Sequence, residues 1–379
     1  MLLTADTLLT GAELLRPGWI EVSDGLVHAV GGGLPPRQAD RDLGAATVVP
    51  GFVDTHLHGG GGANFTAATD AETATAVDLH RRHGSTSLVA SLVTAGPNEL
   101  LRQVRGLADD VRAGRLDGIH LEGPWLSTKR CGAHQSDLMR DPDHAEIDRV
   151  LEAGDGTIRM VTIAPERDGA LAAITQFVEA GVVVAVGHTE ASYEQTWAAI
   201  DAGATVATHL FNAMRPINHR EPGPIVALLE DPRVTVELIT DGVHVAPAIY
   251  RHATRNAGPD RVSLVTDAMA ATGMADGVYH LGPLAVDVVD GVARVAGSDT
   301  IAGSTATMDR VFGFAVEHGG VPPDEALMVA VRQASINPAR ALGMADAGLV
   351  PGTRADLVVL GPELSVKGVM RQGQWIVEP

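Results

Sequence analysis

Cysteine is nearly missing from this chain: among 379 residues there is one, Cys131. No disulfide can form within the chain, and a reducing compartment is expected. Lysine is almost as scarce, with Lys129 and Lys367 alone. Positive charge is in deficit throughout, since 28 Lys and Arg face 47 Asp and Glu and leave a formal net charge of −19. The charges are dispersed, and no basic face is available for nucleic acid or for an anionic membrane. No apolar run reaches membrane-spanning length, and the stretch from Met1 to Gly18 lacks a basic start followed by an apolar segment. A cytoplasmic protein is expected. Low-complexity segments and internal repeats beyond a βα period are also absent. What remains is 45% hydrophobic, enough for one large domain with a substantial core and a smaller satellite.

Residues 1–48 read as short apolar-polar alternations broken by Gly and Pro, as in Trp19-Ile20-Glu21-Val22 and Leu26-Val27-His28-Ala29-Val30. Residues 350–379 read alike, with Asp356-Leu357-Val358-Val359-Leu360 and Gln374-Trp375-Ile376-Val377 after the turn at Pro351-Gly352. The two ends are expected to pair into one small β-sandwich. Between them, over 49–349, strand-like runs alternate with helical segments such as Asp70–His83, Leu171–Ala180 and Tyr193–Ala202. Eight runs can be counted: Val48–His58, Ser87–Thr94, Gly118–Gly123, Arg159–Pro165, Val182–Thr189, Thr205–Met214, Val234–Val245 and Arg261–Met269. Eight strands alternating with helices predict an α/β fold, a (β/α)8 TIM-type barrel. Alternation near 277–298 predicts a β-hairpin inserted after the eighth strand.

The polar residues of these runs gather at their ends. Asp54-Thr55-His56-Leu57-His58 closes the first run, and residues two apart on a strand share a face. Paired histidines also occur on surfaces and in cores, so the pair alone says little. Glu122, however, lies at or near the carboxyl end of the third run, His188 of the fifth, His244 of the seventh and Asp267 of the eighth, with His209 within the sixth. Strand carboxyl ends are where such a barrel builds its active site. Imidazoles and carboxylates converging there suit Zn²⁺ or another divalent transition ion, which lowers the pKa of bound water towards about 7. His80, His83, His252 and His318 fall in helical segments and are expected to be solvated or packed. His120 shares the face of Glu122 one step deeper and is expected to support the site or the core.

These strings resemble the amidohydrolase superfamily, and within it the N-acetylglucosamine-6-phosphate deacetylases. The resemblance rests on Pro50-Gly51-Phe52-Val53-Asp54-Thr55-His56-Leu57-His58-Gly59-Gly60, His120-Leu121-Glu122-Gly123-Pro124-Trp125, Gly187-His188-Thr189, Thr208-His209-Leu210-Phe211-Asn212-Ala213-Met214, Arg220-Glu221-Pro222-Gly223, Asp241-Gly242-Val243-His244 and Thr266-Asp267-Ala268-Met269. It covers nearly the whole chain, including Ala302-Gly303-Ser304 and the helix at Asn337-Pro338-Ala339.

The resemblance implies removal of the acetyl group of N-acetyl-D-glucosamine 6-phosphate to give D-glucosamine 6-phosphate and acetate, in amino-sugar catabolism and cell-wall recycling. It implies that Glu122, His188 and His209 hold the catalytic metal, and that His56, His58 and Asp267 with a shared Glu122 hold a second. One or two ions per subunit are thus expected, zinc foremost, with iron, cobalt, manganese or cadmium as alternatives. Asp267 matches the general acid/base, and His244 the residue that polarises the acetyl carbonyl. Ala133, His134, Asn212, Ala213, Asp241, Ile301, Ala302 and Gly303 match residues that reach the sugar. Arg220 matches the phosphate-binding arginine supplied by the neighbouring subunit, which implies a homodimer. Cys131 lies outside the family pattern; it is either an incidental small residue or a thiol near the metal mouth.

Two other readings compete. Hydantoinase- and dihydroorotase-type amidohydrolases bridge their metals with a carboxylated lysine from a mid-barrel strand; here Lys129 sits in a loop and Lys367 in the terminal β-region, while Glu122 can bridge. A non-catalytic barrel would be expected to have lost a ligand or the acid/base, and all are present.

Overall fold

The computed structural model describes residues 1–344 and 347–379. Among the described residues, eight parallel strands follow one another in chain order: β1 (Phe52–Leu57), β2 (Ser85–Val93), β3 (Gly118–Glu122), β4 (Ile158–Ile163), β5 (Val183–Val186), β6 (Val206–Ala207), β7 (Thr235–Leu238) and β8 (Val262–Leu264). The sheet closes where Leu57 bridges Ala268 in parallel, with Asp267 N donating to His56 O at 2.8 Å and His58 N to Ala268 O at 2.7 Å. All nine residues of β2 are buried, as a strand covered by helices on one face and by the barrel interior on the other must be.

The helices start on local signals. Thr69 caps Asp70–Arg82 by accepting from Glu72 N, and Ser192 with Gln195 forms a capping box at Tyr193–Asp201. The barrel core is aliphatic, with Phe52 against Phe312 at a centroid distance of 5.1 Å. Among the described residues, no helix is long and apolar enough to cross a membrane.

The termini form two further sheets. One orders Leu26–Gly32, Gly18–Ser23, Leu2–Ala5 and Arg41–Asp42. The other orders Gln374–Val377, Val366–Arg371, Leu357–Leu360, Thr47–Pro50, Thr7–Leu9 and Leu14–Leu15. Leu3, Ile20, Val22, Val48, Leu357 and Met370 share one core between them, which makes the pair a sandwich.

Three expectations are corrected. The run Val48–His58 is two strands: Thr47–Pro50 pairs antiparallel with Leu357–Leu360 in the terminal sheet, and the barrel begins only at Phe52. The chain changes partners at Gly51, whose N–H donates to Asp356 O at 2.9 Å and where a Cβ would sit 2.1 Å from Thr86 Oγ1. The expected hairpin near 277–298 is a three-stranded meander, because Leu284–Val289 pairs between Gly277–Leu281 and Val292–Val295. Finally, the late barrel strands stop short of the polar residues expected to end them. His188, His209 and Asp267 have φ of +46°, +27° and +49°, a left-handed conformation that ends a strand. It costs roughly 1–2 kcal/mol per residue, and Asn, Asp and His adopt it more readily than other side chains.

Candidate metal and active site

The left-handed turns after β5, β6 and β8 bring His188, His209 and Asp267 to the side chains of His56 on β1, His58 just after it and Glu122 on β3. Glu122 is the hub. Its Oε1 lies 3.1 Å from His188 Nε2, 3.0 Å from His209 Nε2 and 3.4 Å from His56 Nε2. Its Oε2 lies 3.2 Å from His58 Nε2 and 3.2 Å from His134 Nε2. Asp267 Oδ1 is 3.2 Å from His58 Nε2 and 3.5 Å from His56 Nε2. Three groupings have donor atoms within 4.8 Å of one another: His56, Glu122 and His209; His56, His58 and Asp267; Glu122, His134 and His188.

The outer ring nitrogens explain the inward aim of these imidazoles. His58 Nδ1 faces Ser91 O at 3.1 Å, His188 Nδ1 faces Arg130 O at 2.9 Å, and His56 Nδ1 faces Glu237 Oε2 at 3.4 Å. Donating Nδ1–H outwards leaves the Nε2 lone pair pointing to the centre, as a metal ligand requires. His209 Nδ1 has no such partner among the described residues.

The cluster draws positive charge. Burial works against protonating His58, yet Asp267 and Glu122 outweigh it and lift its pKa to about 9. Burial likewise opposes ionisation of Glu122 and Asp267, and the surrounding imidazoles overcome it, holding both below the usual carboxylate range. The ion-pair partners of both carboxylates among the described residues are imidazoles, with no Lys or Arg. Buried carboxylates faced by imidazole nitrogens form a donor set that suits a divalent cation, whose binding would displace the ring protons that face the carboxylates.

Around the cluster lies a cavity of about 380 Å³, lined among others by Ala133, His134, Asn212, Ala213, His244, Asp267, Ile301 and Gly303. Asn212 Nδ2 donates to His209 O at 3.1 Å. His244 Nδ1 meets Asp241 Oδ2 at 2.7 Å, so Asp241 reaches the site through His244. Burial disfavours the charged form of His244, but Asp241 raises its pKa overall. Burial pushes His134 down to about 4 against the pull of Glu122, and its imidazole is neutral at pH 7. Ala302 does not reach the cavity wall; it is wholly buried under the meander, its N–H donating to Ala293 O at 3.0 Å. Arg220 lies on an exposed loop and is not among the residues lining the cavity of its own chain. Cys131 is half-buried, and its carbonyl accepts from His134 N at 3.1 Å.

His120 sits one layer down, wholly buried between Ser91 Oγ at 2.9 Å and Thr162 Oγ1 at 2.8 Å. Among the helical histidines, His80 is wholly buried against Gly59 O at 2.9 Å. Sequence reasoning missed two buried carboxylates. Asp54 accepts from Thr266 Oγ1 at 2.6 Å, and burial outweighs that bond to push it up to about 7. Glu237 accepts from Thr55 Oγ1 at 3.0 Å. The signal for Glu237 was present, since it is a lone charge inside the apolar run Val234-Thr235-Val236-Glu237-Leu238-Ile239.

Fold and cluster together define a (β/α)8 barrel with His, Glu and Asp side chains able to hold a metal at the carboxyl ends of its strands. The amidohydrolase family matches residues 47–376, and the chain belongs to it. It is 37% identical to N-acetylgalactosamine-6-phosphate deacetylase of Escherichia coli O157:H7, with 98% of each chain covered. It is 34% identical to N-acetylglucosamine-6-phosphate deacetylase of Vibrio furnissii, over 99% of this chain and 94% of that one. Among solved structures it is similar to the D267A mutant of N-acetyl-D-glucosamine-6-phosphate deacetylase from Mycobacterium smegmatis in complex with N-acetyl-D-glucosamine-6-phosphate. The identity is 75%, the TM-score 0.99, and the coverage 100% of this chain and 99% of that one.

Proposed function

We propose that this chain hydrolyses the acetamido bond of N-acetyl-D-glucosamine 6-phosphate, releasing acetate and D-glucosamine 6-phosphate in amino-sugar catabolism and cell-wall recycling. The observation that carries the reading is the convergence of His188 and His209 on Glu122 Oε1, with Asp267 beside them, in a cavity wide enough for one hexosamine. The Mycobacterium smegmatis complex supports the choice of sugar.

Glu122, His188 and His209 would hold the catalytic ion, zinc in this reading, and His56, His58 and Asp267 with Glu122 would hold a second. A bound divalent ion supplies a Lewis acid that makes water a nucleophile near neutral pH. Asp267, ionised because its imidazole neighbours lower its pKa despite burial, accepts the proton of the attacking water and passes it to the departing amine. His244, held by Asp241 and protonated above the usual imidazole range, donates to the acetyl carbonyl oxygen as negative charge develops there. Ala133, His134, Asn212, Ala213, Ile301 and Gly303 seat the sugar. The phosphate is gripped by Arg220 from the second subunit of a homodimer, since a guanidinium can take two phosphate oxygens at once. The protein works in the cytoplasm.

The test is steady-state acetate release from N-acetylglucosamine, N-acetylgalactosamine and N-acetylmannosamine, each with and without a 6-phosphate, on protein of measured metal content. Preference for the phosphorylated gluco-epimer is expected. No acetate from any 6-phosphorylated sugar by metal-loaded protein refutes the assignment.

A further inference from the structure

Glu237 on β7 is a wholly buried carboxylate with no Lys or Arg against it among the described residues. Its partners are Thr55 Oγ1 at 3.0 Å, His56 Nδ1 at 3.4 Å and the backbone N of His209 at 3.4 Å. Burying a carboxylate away from any Lys or Arg is costly, and Thr55 alone would be served equally by an uncharged glutamine. The charge has a purpose where it faces the Nδ1–H of an imidazole whose other nitrogen binds a cation, because a carboxylate there fixes the tautomer and makes Nε2 more basic. His58 and His188 point Nδ1 at neutral backbone carbonyls, and His134 Nδ1 meets the uncharged Thr94. Of the imidazoles assigned to the two ions, His56 is the one that has a carboxylate behind it among the described residues.

We propose that Glu237 is a positioning residue that holds His56 with its proton on Nδ1 and so sets the affinity of the ion site made by His56, His58 and Asp267. This rests on the two-ion reading above. The contact of Glu237 with His209 is through the backbone, and the His209 ring lies outside its reach, so the ion held by Glu122, His188 and His209 is affected less. The two ion sites would thereby differ in tunability, with the one at the end of β1 under the control of a residue on β7, two strands away across the closure of the barrel.

The test compares the full chain with Glu237→Gln, which keeps size and an acceptor for Thr55 but removes the charge. Stripped protein is titrated with Zn²⁺ alone against a chelator and its ion content counted, and acetate release is measured on the same samples. The expected result is a weaker second ion by about 10–100-fold, with the first ion shifted less than about tenfold. Imidazole ¹⁵N NMR of the stripped protein, followed to a pH above the titration of His56, which burial opposes and Glu122, Asp267 and Glu237 raise, should show the neutral ring protonated on Nδ1 in the parent and a tautomer mixture in the variant. If Glu237→Gln fails to fold, Thr55→Val decides: it leaves the charge but unties it, and a smaller loss of the second ion is expected. Two ions bound with parental affinities and an unchanged His56 tautomer overturn the proposal. So does a parent that releases acetate while binding a single ion, a result that leaves the deacetylase reading standing.

Discussion

Replacing Asp267 with asparagine tests the chemistry with little disturbance of the fold. The side chain keeps its size, and asparagine tolerates the φ of +49° at this position. The backbone bonds that fix the turn, Asp267 N to His56 O at 2.8 Å and Ser304 N to Asp267 O at 2.7 Å, do not involve the side chain. What is lost is a carboxylate kept ionised by His56 and His58 in spite of its burial, the only property that lets it take a proton from water. General acid/base catalysis is worth about 10²–10⁴ in rate, or about 2.7–5.4 kcal/mol on the barrier. Acetate release by Asp267→Asn should therefore fall at least about a hundredfold. Because Asp267 also stands 3.2 Å from His58 Nε2, the assay is run at saturating metal with the ion content measured, so that a missing ion is not mistaken for a missing base. Circular dichroism and thermal unfolding check the fold. Turnover within about tenfold of the parent at equal ion content refutes the acid/base role.

His188→Ala or His209→Ala should empty the catalytic ion site and abolish turnover, whereas His56→Ala with His58→Ala should remove one ion and leave partial activity; equal stoichiometry in both sets by elemental analysis contradicts the division of ligands. Arg220→Ala should raise KM for the 6-phosphorylated sugar while barely changing the poor activity on the unphosphorylated one. Mixing it with Asp267→Asn under subunit exchange should restore activity, because the Arg220→Ala chain keeps its own Asp267 and borrows an intact arginine; exchange without recovery places the arginine in its own chain. His80 is held at a pKa of about 4 by burial, against a weaker opposing bond to Gly59 O, while an unfolded chain has about 6.5. The unfolded chain then binds the extra proton between those values, so stability is whole above pH 6.5 and declines by about 3 kcal/mol as pH falls to about 4. His80→Gln, which can still donate to Gly59 O, should flatten that decline in denaturant titrations across the window; parallel curves for parent and variant refute it.

Much of the architecture was legible because the signals are local. Alternation of apolar runs with capped helices is written in neighbouring residues, and it placed Asp70–Arg82, Ala170–Glu179 and Tyr193–Asp201 to within a residue or two at each end. The third strand of the 277–298 meander escaped because Leu284–Val289 shows its pairing only through partners on both sides. The split at Gly51 escaped for a similar reason: one apolar run serves two sheets, and only the approach of Thr86 and Asp356 reveals where it changes allegiance.

The sequence by itself determined the α/β barrel class and the kinds of side chain available at the strand ends, since strand period, turn residues and a deficit of basic charge are properties of the chain alone. Only the tertiary structure decided which of those side chains meet. Glu122 lies 66 residues from His188 and 87 from His209, and their approach to one carboxylate oxygen follows from barrel closure and from left-handed turns that no periodicity records. His134 packed against Glu122, Ala302 withdrawn beneath the meander, and Glu237 set behind His56 have the same origin, for each is a distance between strands, and such distances exist only once the sheet has closed.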